Sequence, residues 1–478
     1  MKKLFYTLSA IVVLLSMASC GKWLDINTNP NYVADADMKM LLPSAHLNLA
    51  AKVGYDVTLY GCFWSQYVVQ CNTTNQYYTV MTNDVTNSTF TSTWSYLYSR
   101  VLPALHEVID QAKAADNASN YILEANTTVA YTLYLLTSLY DQVAYTEGYL
   151  TPSQTPKFDS GQEMQAAIIK LLEEIRAMDA NKVASDEIAN TTASSDMFFG
   201  GDTDAWFAFA NTLYLKVLLR DFNTNKSKIE SLLAENEFLE DDATFANFSD
   251  AADKSYPMYE SDRRQLNTTE NIRCCSDVLD VLDETDPRPY YYYENHPDGV
   301  VAGSPYGMTG DPDETSRLAL SATDPVFIGT VDEALFLQAE AYARLNNAGK
   351  AEELYEDAVR AAFERAGTYS KTVNDAVSGG IVDSLLEGAY AFEAGSVEKM
   401  VEQIITQKWA SNVRCMPFES WFDLSRTGYP TRGETITEYH GVLQSGYPVR
   451  FIYSKTSADY NPNSPTPVPV NEKMWWHK

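Results

Sequence analysis

The sequence predicts a mostly α-helical protein, in which helical hairpins form a scaffold and long irregular insertions interrupt it. Three observations predict this class: apolar residues recur at helical spacing, capping motifs mark helix starts, and polar segments rich in turn residues separate the helices. The chain has 478 residues, of which 45% are hydrophobic and 21% are charged. This composition is typical of a folded globular protein with ample chain to bury a core.

Capping residues mark the starts of several predicted helices. Ser160 is followed by Glu163 ahead of MQAAIIKLLEEI, whose apolar residues have helical spacing, and Thr330 is followed by Glu333. Ser396 is the predicted N-cap of a later helix. Further helical stretches are expected near residues 42 to 70, 90 to 113, 120 to 140, 204 to 221 and 396 to 411. The aromatic residues in these stretches that we assign to the core are Trp94, Tyr96, Tyr98 and Trp206.

One helical pair has the pattern of a tetratricopeptide-type hairpin. A helix from about 331 to 345 ends at two asparagines, and a second runs from about 348 to 365. Small and large residues alternate along the pair, as close helix packing requires; they are Ala339, Ala341, Tyr342, Gly349, Ala351, Tyr355 and Ala358. One such unit cannot bury its apolar face alone, so several pairs are expected to stack as degenerate repeats.

Three long segments are predicted to be insertions, at residues 72–90, 241–325 and 428–478. A compact helical protein has no structural need for such loops, and loops of this length are often functional. The chain has 32 tyrosines, and the three segments are rich in them. A tyrosine ring offers a flat face on which a sugar or an apolar peptide side chain can stack, while neighbouring polar groups bond hydroxyls or amides.

Seven residues of these insertions are the candidate ligand contacts: Tyr77, Tyr78, Tyr256, Tyr259, Arg263, Tyr292 and Tyr306. All of them lie in polar, turn-rich contexts, and Tyr292 belongs to a run of four tyrosines at 290–293. The alternative for each residue is that it packs its loop onto the helical body. The sequence leaves both interpretations open.

The charge balance excludes some partners. The chain has 35 Lys and Arg against 64 Asp and Glu, a formal net charge of −29. Nucleic-acid binding needs a surface rich in Lys and Arg, so no nucleic acid is expected as a partner. The same charge disfavours polyanionic glycans, although Arg263, Arg264 and Arg273 could override this locally.

The N-terminus has the pattern of a bacterial lipoprotein signal. Lys2 and Lys3 precede an apolar run from 4 to 17 that is too short to span a bilayer, and Ala18 and Ser19 precede Cys20. We therefore expect a signal peptide at 1–19, acylation of Cys20, a lipidated leader at 20–40 and a single helical domain at 41–478. The alternative is an ordinary signal peptide followed by a chance cysteine.

No catalytic or cofactor motif is found, so the protein is not expected to be an enzyme. HExxH, GxSxG, GxGxxG and Walker sequences are absent, and the five histidines are scattered, which makes a zinc site improbable. An acid pair for glycoside hydrolysis stays open, because its separation is a spatial property. Ca²⁺ is a weak candidate at Asp311 with Asp313 or at Asp202 with Asp204, the alternative being solvated turns.

Five cysteines remain once Cys20 is assigned to lipid: Cys62, Cys71, Cys274, Cys275 and Cys415. Cys62 and Cys71 could pair if the chain folds back between them, whereas the adjacent Cys274 and Cys275 would need a strained ring. The favoured interpretation is buried or free thiols without a metal, because a large core does not need disulfides.

A series of short segments carries a family resemblance from Cys20 to the C-terminus. In chain order they are WLDINTNPN, LLTSLYDQVAYTEGY with TPKFDSGQEM, FFGGDTDAWFAFANTLYLKVLLR, LFLQAEAYARL, IITQKWAS with ESWFDLSRTGYP, GYPVRFIY and NEKMWW. Each is weak alone, but in this order they resemble the SusD/RagB family of outer-membrane nutrient-binding lipoproteins, in its SusD-like branch. One departure is Asp141, which stands where the family usually has glycine.

The resemblance implies a fold of four tetratricopeptide-like pairs with the aromatic insertions on another face. It also implies a protein without catalytic activity that binds an oligosaccharide, or a peptide in some branches, and delivers it to a TonB-dependent SusC-like outer-membrane transporter. The implied location is the outer membrane, at the cell surface, through a lipid anchor at Cys20. The alternatives are a surface-tethered glycosidase or peptidase, and a pure assembly scaffold.

Overall fold

A computed structural model of the protein describes residues 36–74, 77–265 and 271–478. The predicted signal peptide, Cys20 and the leader up to residue 35 lie outside the described residues. Helices dominate the described part, and none of them is long and apolar enough to cross a membrane. The mostly α-helical class is therefore confirmed.

The helices of the described residues are, in chain order, α1 Met38–Lys52, α2 Thr58–Trp64, α3 Tyr78–Met81, α4 Thr91–Tyr96, α5 Leu102–Ala114, α6 Ser119–Tyr140, α7 Gly161–Arg176, α8 Ala180–Asn190, α9 Thr203–Leu219, α10 Phe222–Glu235, α11 Pro257–Tyr259, α12 Ser276–Val281, α13 Pro289–Tyr292, α14 Val331–Arg344, α15 Ala348–Tyr369, α16 Lys371–Ser378, α17 Ile381–Glu387, α18 Val397–Ser411, α19 Pro417–Thr427 and α20 Lys455–Tyr460. Short π-helical segments occur at Val53–Val57, Leu97–Val101, Thr146–Leu150 and Glu260–Gln265, and a 3₁₀ turn at Pro297–Gly299.

Two small sheets accompany the helices. Their strands are β1 Val68–Gln70, β2 Ala243–Phe245, β3 Ile272–Cys274, β4 Tyr293–Glu294, β5 Arg317–Leu318 and β6 Val326–Gly329. The first sheet has the antiparallel order β1-β3-β5-β4, and the second pairs β2 with β6. In the first sheet Val68 pairs with Cys274 and Gln70 with Ile272, so the chain just before the first insertion is hydrogen-bonded to the second.

The predicted caps are present. Ser160 Oγ accepts the Glu163 N–H at 3.3 Å, and the Glu163 carboxylate accepts the Ser160 N–H at 2.8 Å, a complete capping box. Thr330 Oγ1 accepts the Glu333 N–H at 3.3 Å, and Ser396 Oγ accepts the Lys399 N–H at 3.2 Å. These hydrogen bonds satisfy N–H groups that have no partner within the first turn of a helix.

The predicted helix from 42 to 70 differs from the observed structure at both ends. The Asp37 side chain accepts the Lys39 N–H at 2.9 Å, so α1 begins earlier, at Met38. After the π-helical segment at 53–57, α2 ends at Trp64, and the chain turns through Gln66, whose φ is 64°, into β1. Local sequence periodicity does not reveal this turn, because residues 59–71 are all buried and apolar residues occur on every side.

The predicted hairpin is formed by α14 and α15, which pack against each other. Ala339, Ala341, Ala351 and Ala358 are fully buried, and their small side chains let the two helices approach closely. Gly349, in contrast, is exposed and has no atom within 4 Å of where a Cβ would stand, so it is not part of the contact.

The aromatic residues assigned to the helical core are only partly core residues. Trp206 is fully buried and its Nε1 donates to Asp196 at 2.8 Å, and Trp94 is also buried. Tyr96 and Tyr98 are only half-buried. The Tyr98 ring stays partly accessible to solvent, and its hydroxyl donates to the Ala144 carbonyl at 2.8 Å.

All five cysteines of the described residues are buried, and Cys62, Cys274, Cys275 and Cys415 are free thiols, as favoured from the sequence, so the Cys62–Cys71 disulfide considered there is not formed. Asp141 ends α6 with a φ of 73°, in the left-handed region that glycine adopts most readily. This conformation accounts for the glycine that is usual at this position in the family that the sequence resembles.

A buried ionic network joins four helices of the scaffold. Lys216 of α9 lies 2.8 Å from Glu333 of α14 and 3.0 Å from Glu419 of α19. Lys408 of α18 lies 3.3 Å from Glu333 and 2.9 Å from Asp423 of α19. The network therefore fixes how these helices sit against one another, because each charge is buried and depends on its partners.

Glu340 extends this network and gives it an acid sensitivity. Arg426 contacts both of its carboxylate oxygens, at 2.6 and 2.7 Å, and Arg344 donates to it at 2.7 Å. Burial alone would raise the pKa of Glu340, but Arg426 and Arg344 outweigh burial and lower it to about 2. The folded state therefore binds the Glu340 proton less readily than the unfolded chain does.

We expect Glu340→Gln to remove part of the acid dependence of stability. A lowered carboxyl pKa stabilises the fold above the unfolded value near 4.5, and this stabilisation, on the order of 3 kcal/mol, is lost as the pH falls toward 2. Urea unfolding of the native protein and the variant between pH 7 and pH 2.5 measures it. The difference between the two proteins should shrink below pH 4.5; a constant difference would contradict the prediction.

Candidate ligand-binding site

The third insertion that the sequence predicts contacts the first, and the second is hydrogen-bonded to β1 just before the first. The Gly310 N–H of the second insertion donates to the Gln70 carbonyl of β1 at 2.9 Å. The Val442 N–H of the third insertion donates to the Thr82 carbonyl of the first at 2.8 Å, and Asn83 Nδ2 donates to the His440 carbonyl at 3.0 Å. Segments far apart in the chain thus lie side by side.

Four tyrosines and one histidine from these insertions form what we call the tyrosine cluster: Tyr78, Tyr306, Tyr439, His440 and Tyr447. The rings of Tyr306 and Tyr439 meet edge to face at 5.5 Å, and those of His440 and Tyr447 lie 5.0 Å apart. Tyr306 is buried, whereas the other four rings are half-buried. Burial and the neighbouring Tyr78 raise the pKa of Tyr439, so the Tyr439 hydroxyl stays protonated at neutral pH.

Gly307 sets the position of Tyr439. Its φ is 88°, and a Cβ at this position would stand 2.3 Å from Cδ2 of the Tyr439 ring. The backbone of the second insertion therefore touches the ring of the third directly. Only glycine allows both this backbone conformation and this approach.

We expect Gly307→Ala to displace the Tyr439 ring from Tyr306. The new methyl group would overlap the ring, in addition to a backbone strain of about 1 kcal/mol. Gly299→Ala is the matched control, since Gly299 has a φ of 81° but no atom within 4 Å of a Cβ. Crystal structures and denaturation curves of both variants test this; equal Tyr439 positions in the two would refute the role of Gly307.

Polar groups surround the half-buried rings. The Arg432 guanidinium lies 4.0 Å from the centroid of the Tyr447 ring. Glu438 accepts from the Tyr447 hydroxyl at 3.4 Å and lies 3.4 Å from His440 Nε2. Ring faces next to hydrogen-bonding groups can stack on the apolar face of a sugar and bond its hydroxyls.

The structure brings Tyr78 and Tyr306 into this cluster, and it buries three other candidates about as deeply as Tyr306. Tyr77, Tyr256 and Tyr292 are at most 6% exposed. The Tyr292 hydroxyl donates to the Ala410 carbonyl at 2.8 Å, and the Tyr77 hydroxyl lies 3.4 Å from that of Tyr55. These three rings fasten their loops to the helical body, which is the packing alternative left open by the sequence, and they present no ring face to solvent here.

Arg263 and Tyr259 lie away from the cluster contacts. The Arg263 side chain is 6% exposed, pairs with Asp262, lies 3.5 Å from Glu294, and donates to the Leu318 carbonyl at 2.8 Å. Its charge is therefore already neutralised. Tyr259 is half-buried, with a guanidinium 5.4 Å from its ring centroid.

Tyr439, His440, Tyr447 and Arg432 were not candidates from the sequence. All four lie in the insertion at 428–478, whose richness in tyrosine was visible, but no local pattern separates them from neighbouring polar residues. Tyr439 contacts the Tyr306 ring, Arg432 has Tyr306 and Tyr447 as electrostatic neighbours, and Tyr447 packs against His440. Only the folded backbone shows such a contact.

The acids considered for Ca²⁺ serve as caps and turn residues. Asp202 accepts the N–H groups of Asp204 and Ala205 at the start of α9, at 3.0 and 3.1 Å, and Asp311 accepts the Asp313 N–H at 2.9 Å. Within the described ranges, no group of three or more His, Cys, Asp or Glu side chains has the arrangement of a metal site.

A separate cleft of about 570 Å³ lies between α7, α9 and α10, away from the tyrosine cluster. Six carboxylates line it: Asp202, Asp204, Glu235, Glu237, Glu240 and Asp241. Its one guanidinium, Arg176, is bound to Glu235 and to Asn211, and Phe207 is its one half-buried ring. The cleft lacks the paired ring faces of the cluster, so the tyrosine cluster is the better candidate site.

The fold and the tyrosine cluster define a helical scaffold that carries half-buried aromatic rings on its predicted insertions. Residues 30–454 match the model of the SusD-like family, described as starch-binding and associating with the outer membrane. The chain belongs to this family, and the resemblance found from the sequence is confirmed. It is thus a nutrient-binding protein associated with the outer membrane.

Solved structures show the same fold. A SusD homologue from Bacteroides uniformis has 23% identity and a TM-score of 0.71, and covers 92% of this chain and 99% of its own. A SusD/RagB family protein from Bacteroides thetaiotaomicron has 20% identity and a TM-score of 0.75, with the same coverage. A chitin-binding protein has 20% identity and a TM-score of 0.73, covering 92% and 100%. No curated protein matches the chain.

Proposed function

We propose that this protein binds an oligosaccharide through the tyrosine cluster and delivers it, chemically unchanged, to a TonB-dependent SusC-like outer-membrane transporter. The observation that carries the proposal is the half-buried Tyr439 ring, which meets Tyr306 of another insertion edge to face, together with the half-buried Tyr447 ring against the adjacent His440. A half-buried ring is held in place by its neighbours yet keeps a face for a ligand. A peptide with apolar side chains is the second ligand class that such rings fit.

The anchoring at Cys20 is part of the same proposal. Two or more acyl chains on Cys20 would hold the protein stably at the outer membrane, and we propose that its body faces the cell surface. The leader between Cys20 and α1 would then act as the tether. Mass spectrometry of the membrane-extracted protein tests this, because acylation adds the mass of the lipid to a chain that begins at Cys20.

Two carboxyl groups of the described residues beside the cluster support binding without catalysis. Glu438 contacts Tyr447 and His440, and Asp277 contacts Thr437 of the same segment. Asp277 is 2% exposed, and its oxygens accept the N–H and hydroxyl of Thr437 at 2.9 and 2.7 Å. It cannot reach a glycosidic bond, and Glu438 alone cannot supply both the acid and the base or nucleophile that glycoside hydrolysis requires.

Three measurements on the mature protein test the proposal. A glycan and peptide array should show binding to an oligosaccharide class. Product analysis after incubation with the bound glycan should show no cleavage, and purification from membranes should retain a large barrel protein. Cleavage that is lost on changing Glu438 would establish the alternative, a surface-tethered glycosidase. Binding of peptides alone would replace the oligosaccharide by the second ligand class.

A further inference from the structure

Arg432 is a cation without an acid partner beside the tyrosine cluster. Its guanidinium lies 4.0 Å from the Tyr447 ring centroid, and its Nε is buried without a hydrogen-bond acceptor. In the described part of the chain, no carboxylate pairs with it, and its electrostatic neighbours are Tyr447 and Tyr306. A partly desolvated guanidinium lacking a counter-charge is costly unless a further group binds it.

Burial lowers the pKa of Arg432 to about 10, and the neighbouring tyrosines offset this only in part. The guanidinium nevertheless remains charged at neutral pH. The attraction between a cation and a ring face holds the guanidinium over the Tyr447 ring, which leaves its N–H groups without a carboxylate acceptor among the described residues. A planar guanidinium edge matches carboxylate and sulfate groups, which accept two parallel hydrogen bonds from it.

The arginines that the sequence offered for anionic ligands are engaged within the protein. Arg263 pairs with Asp262 and Glu294, and Arg264 pairs with Asp250 and lies 3.4 Å from Glu260. Arg273 donates to Thr315 Oγ1 at 3.1 Å and to the Pro312 carbonyl at 3.0 Å. Arg432 differs from these three in lying against a ring of the cluster while having no acid partner.

The nearest acid of the cluster, Glu438, is also engaged. Its Oε1 accepts from the Tyr447 hydroxyl and lies 3.4 Å from His440 Nε2. Tyr447 thus separates the two charges, with Glu438 at its hydroxyl and Arg432 over its ring. A ligand that stacks next to Tyr447 can therefore meet the guanidinium without first displacing Glu438.

We propose that the tyrosine cluster selects oligosaccharides that carry a negative charge, a carboxylate or a sulfate, and that Arg432 is the residue that reads this charge. The inference rests on the proposed function, since it names the substrate class of the same site. The protein's net charge of −29 makes such a preference unexpected from composition, so it has to come from a local arrangement. Uncharged sugar units of the same oligosaccharide would stack on the tyrosine rings.

The test compares matched glycans that differ only in charge. Oligogalacturonides are measured against their carboxyl-reduced neutral forms, and sulfated carrageenan oligosaccharides against their desulfated forms, by titration calorimetry on the mature protein. We expect at least one charged member to bind about tenfold or more tightly than its neutral counterpart, and the preference to fall with added salt. A preference within the galacturonide pair would identify a carboxylate as the bound group, and a preference within the carrageenan pair would identify a sulfate.

Arg432→Gln should abolish the preference, and Arg432→Lys should restore part of it. Arg100→Gln is the matched control, because Arg100 also lies 4.0 Å from a tyrosine ring centroid, that of Tyr96, and is exposed. Equal binding of charged and neutral forms, or an unchanged preference in a folded Arg432→Gln protein, would overturn the inference and leave the proposed function standing. Failure of every glycan to bind would overturn the proposed function itself.

Discussion

Replacing Tyr439 and Tyr447 together by alanine is expected to weaken oligosaccharide binding by about tenfold to a hundredfold. Each ring contributes stacking on the order of 1 kcal/mol beyond the area that it buries, and the two rings come from one insertion. The fold should tolerate the change, because both rings are half-buried and the helical core does not depend on them. Titration with the glycan identified on the array measures the loss.

Tyr460→Ala is the control for this double variant. Tyr460 is 80% exposed at the end of α20, so its loss removes a surface tyrosine that has no part in the cluster. Its binding should equal that of the native protein. If the double variant also bound the glycan normally, the ligand would lie elsewhere, and the acidic cleft between α7, α9 and α10 would be the next place to examine.

Lys408→Met is expected to destabilise the protein by about 3 to 5 kcal/mol. Lys408 is 2% exposed and holds Glu333 and Asp423, so its removal leaves two buried carboxylates with one positive partner fewer. Methionine fills a similar volume, which keeps the loss electrostatic rather than a matter of packing. Chemical denaturation of the native protein and the variant at pH 7 gives the difference in the free energy of unfolding.

Two comparisons separate this effect from a general loss of surface charge. Lys350→Met removes one partner of the exposed pair of Lys350 with Glu353, 2.6 Å apart, and should cost less than about 1 kcal/mol. Adding Glu333→Gln to Lys408→Met should recover part of the lost stability, because it removes one of the uncompensated charges. A Lys408→Met protein as stable as Lys350→Met would mean that the network does not stabilise the scaffold.

The burial of the ionic network cannot be predicted from the sequence. Lys216, Glu333, Lys408 and Glu419 all occur in helices that the sequence predicts, or in the block that carries its family resemblance. Nothing in their local pattern shows that they are buried, because charged residues usually lie at the surface. Their burial results from the packing of four helices that are distant in the chain, and this packing is a property of the folded molecule.

The same division holds for the candidate site. The sequence shows the abundance of tyrosine in the three segments predicted as insertions, yet of the seven candidates only Tyr78 and Tyr306 lie in the cluster. Tyr77 and Tyr292 lie in equally polar stretches, but the folded backbone places both rings in the protein interior. Arg432 is not recognisable as a site residue from the sequence, because a charge is known to be unpaired only when the positions of all possible partners are known.

Local chemistry in the chain was enough to establish the helical class, the capped helix starts, the hairpin of α14 and α15, and the family. These follow from short-range patterns: the period of a helix, the donors at its first turn, and small residues where two helices touch. The tertiary structure decided which rings face solvent, which charges are buried, and that residues 78, 306 and 439 are neighbours. The physical reason is that burial and contact depend on segments hundreds of residues apart, whose meeting no local pattern records.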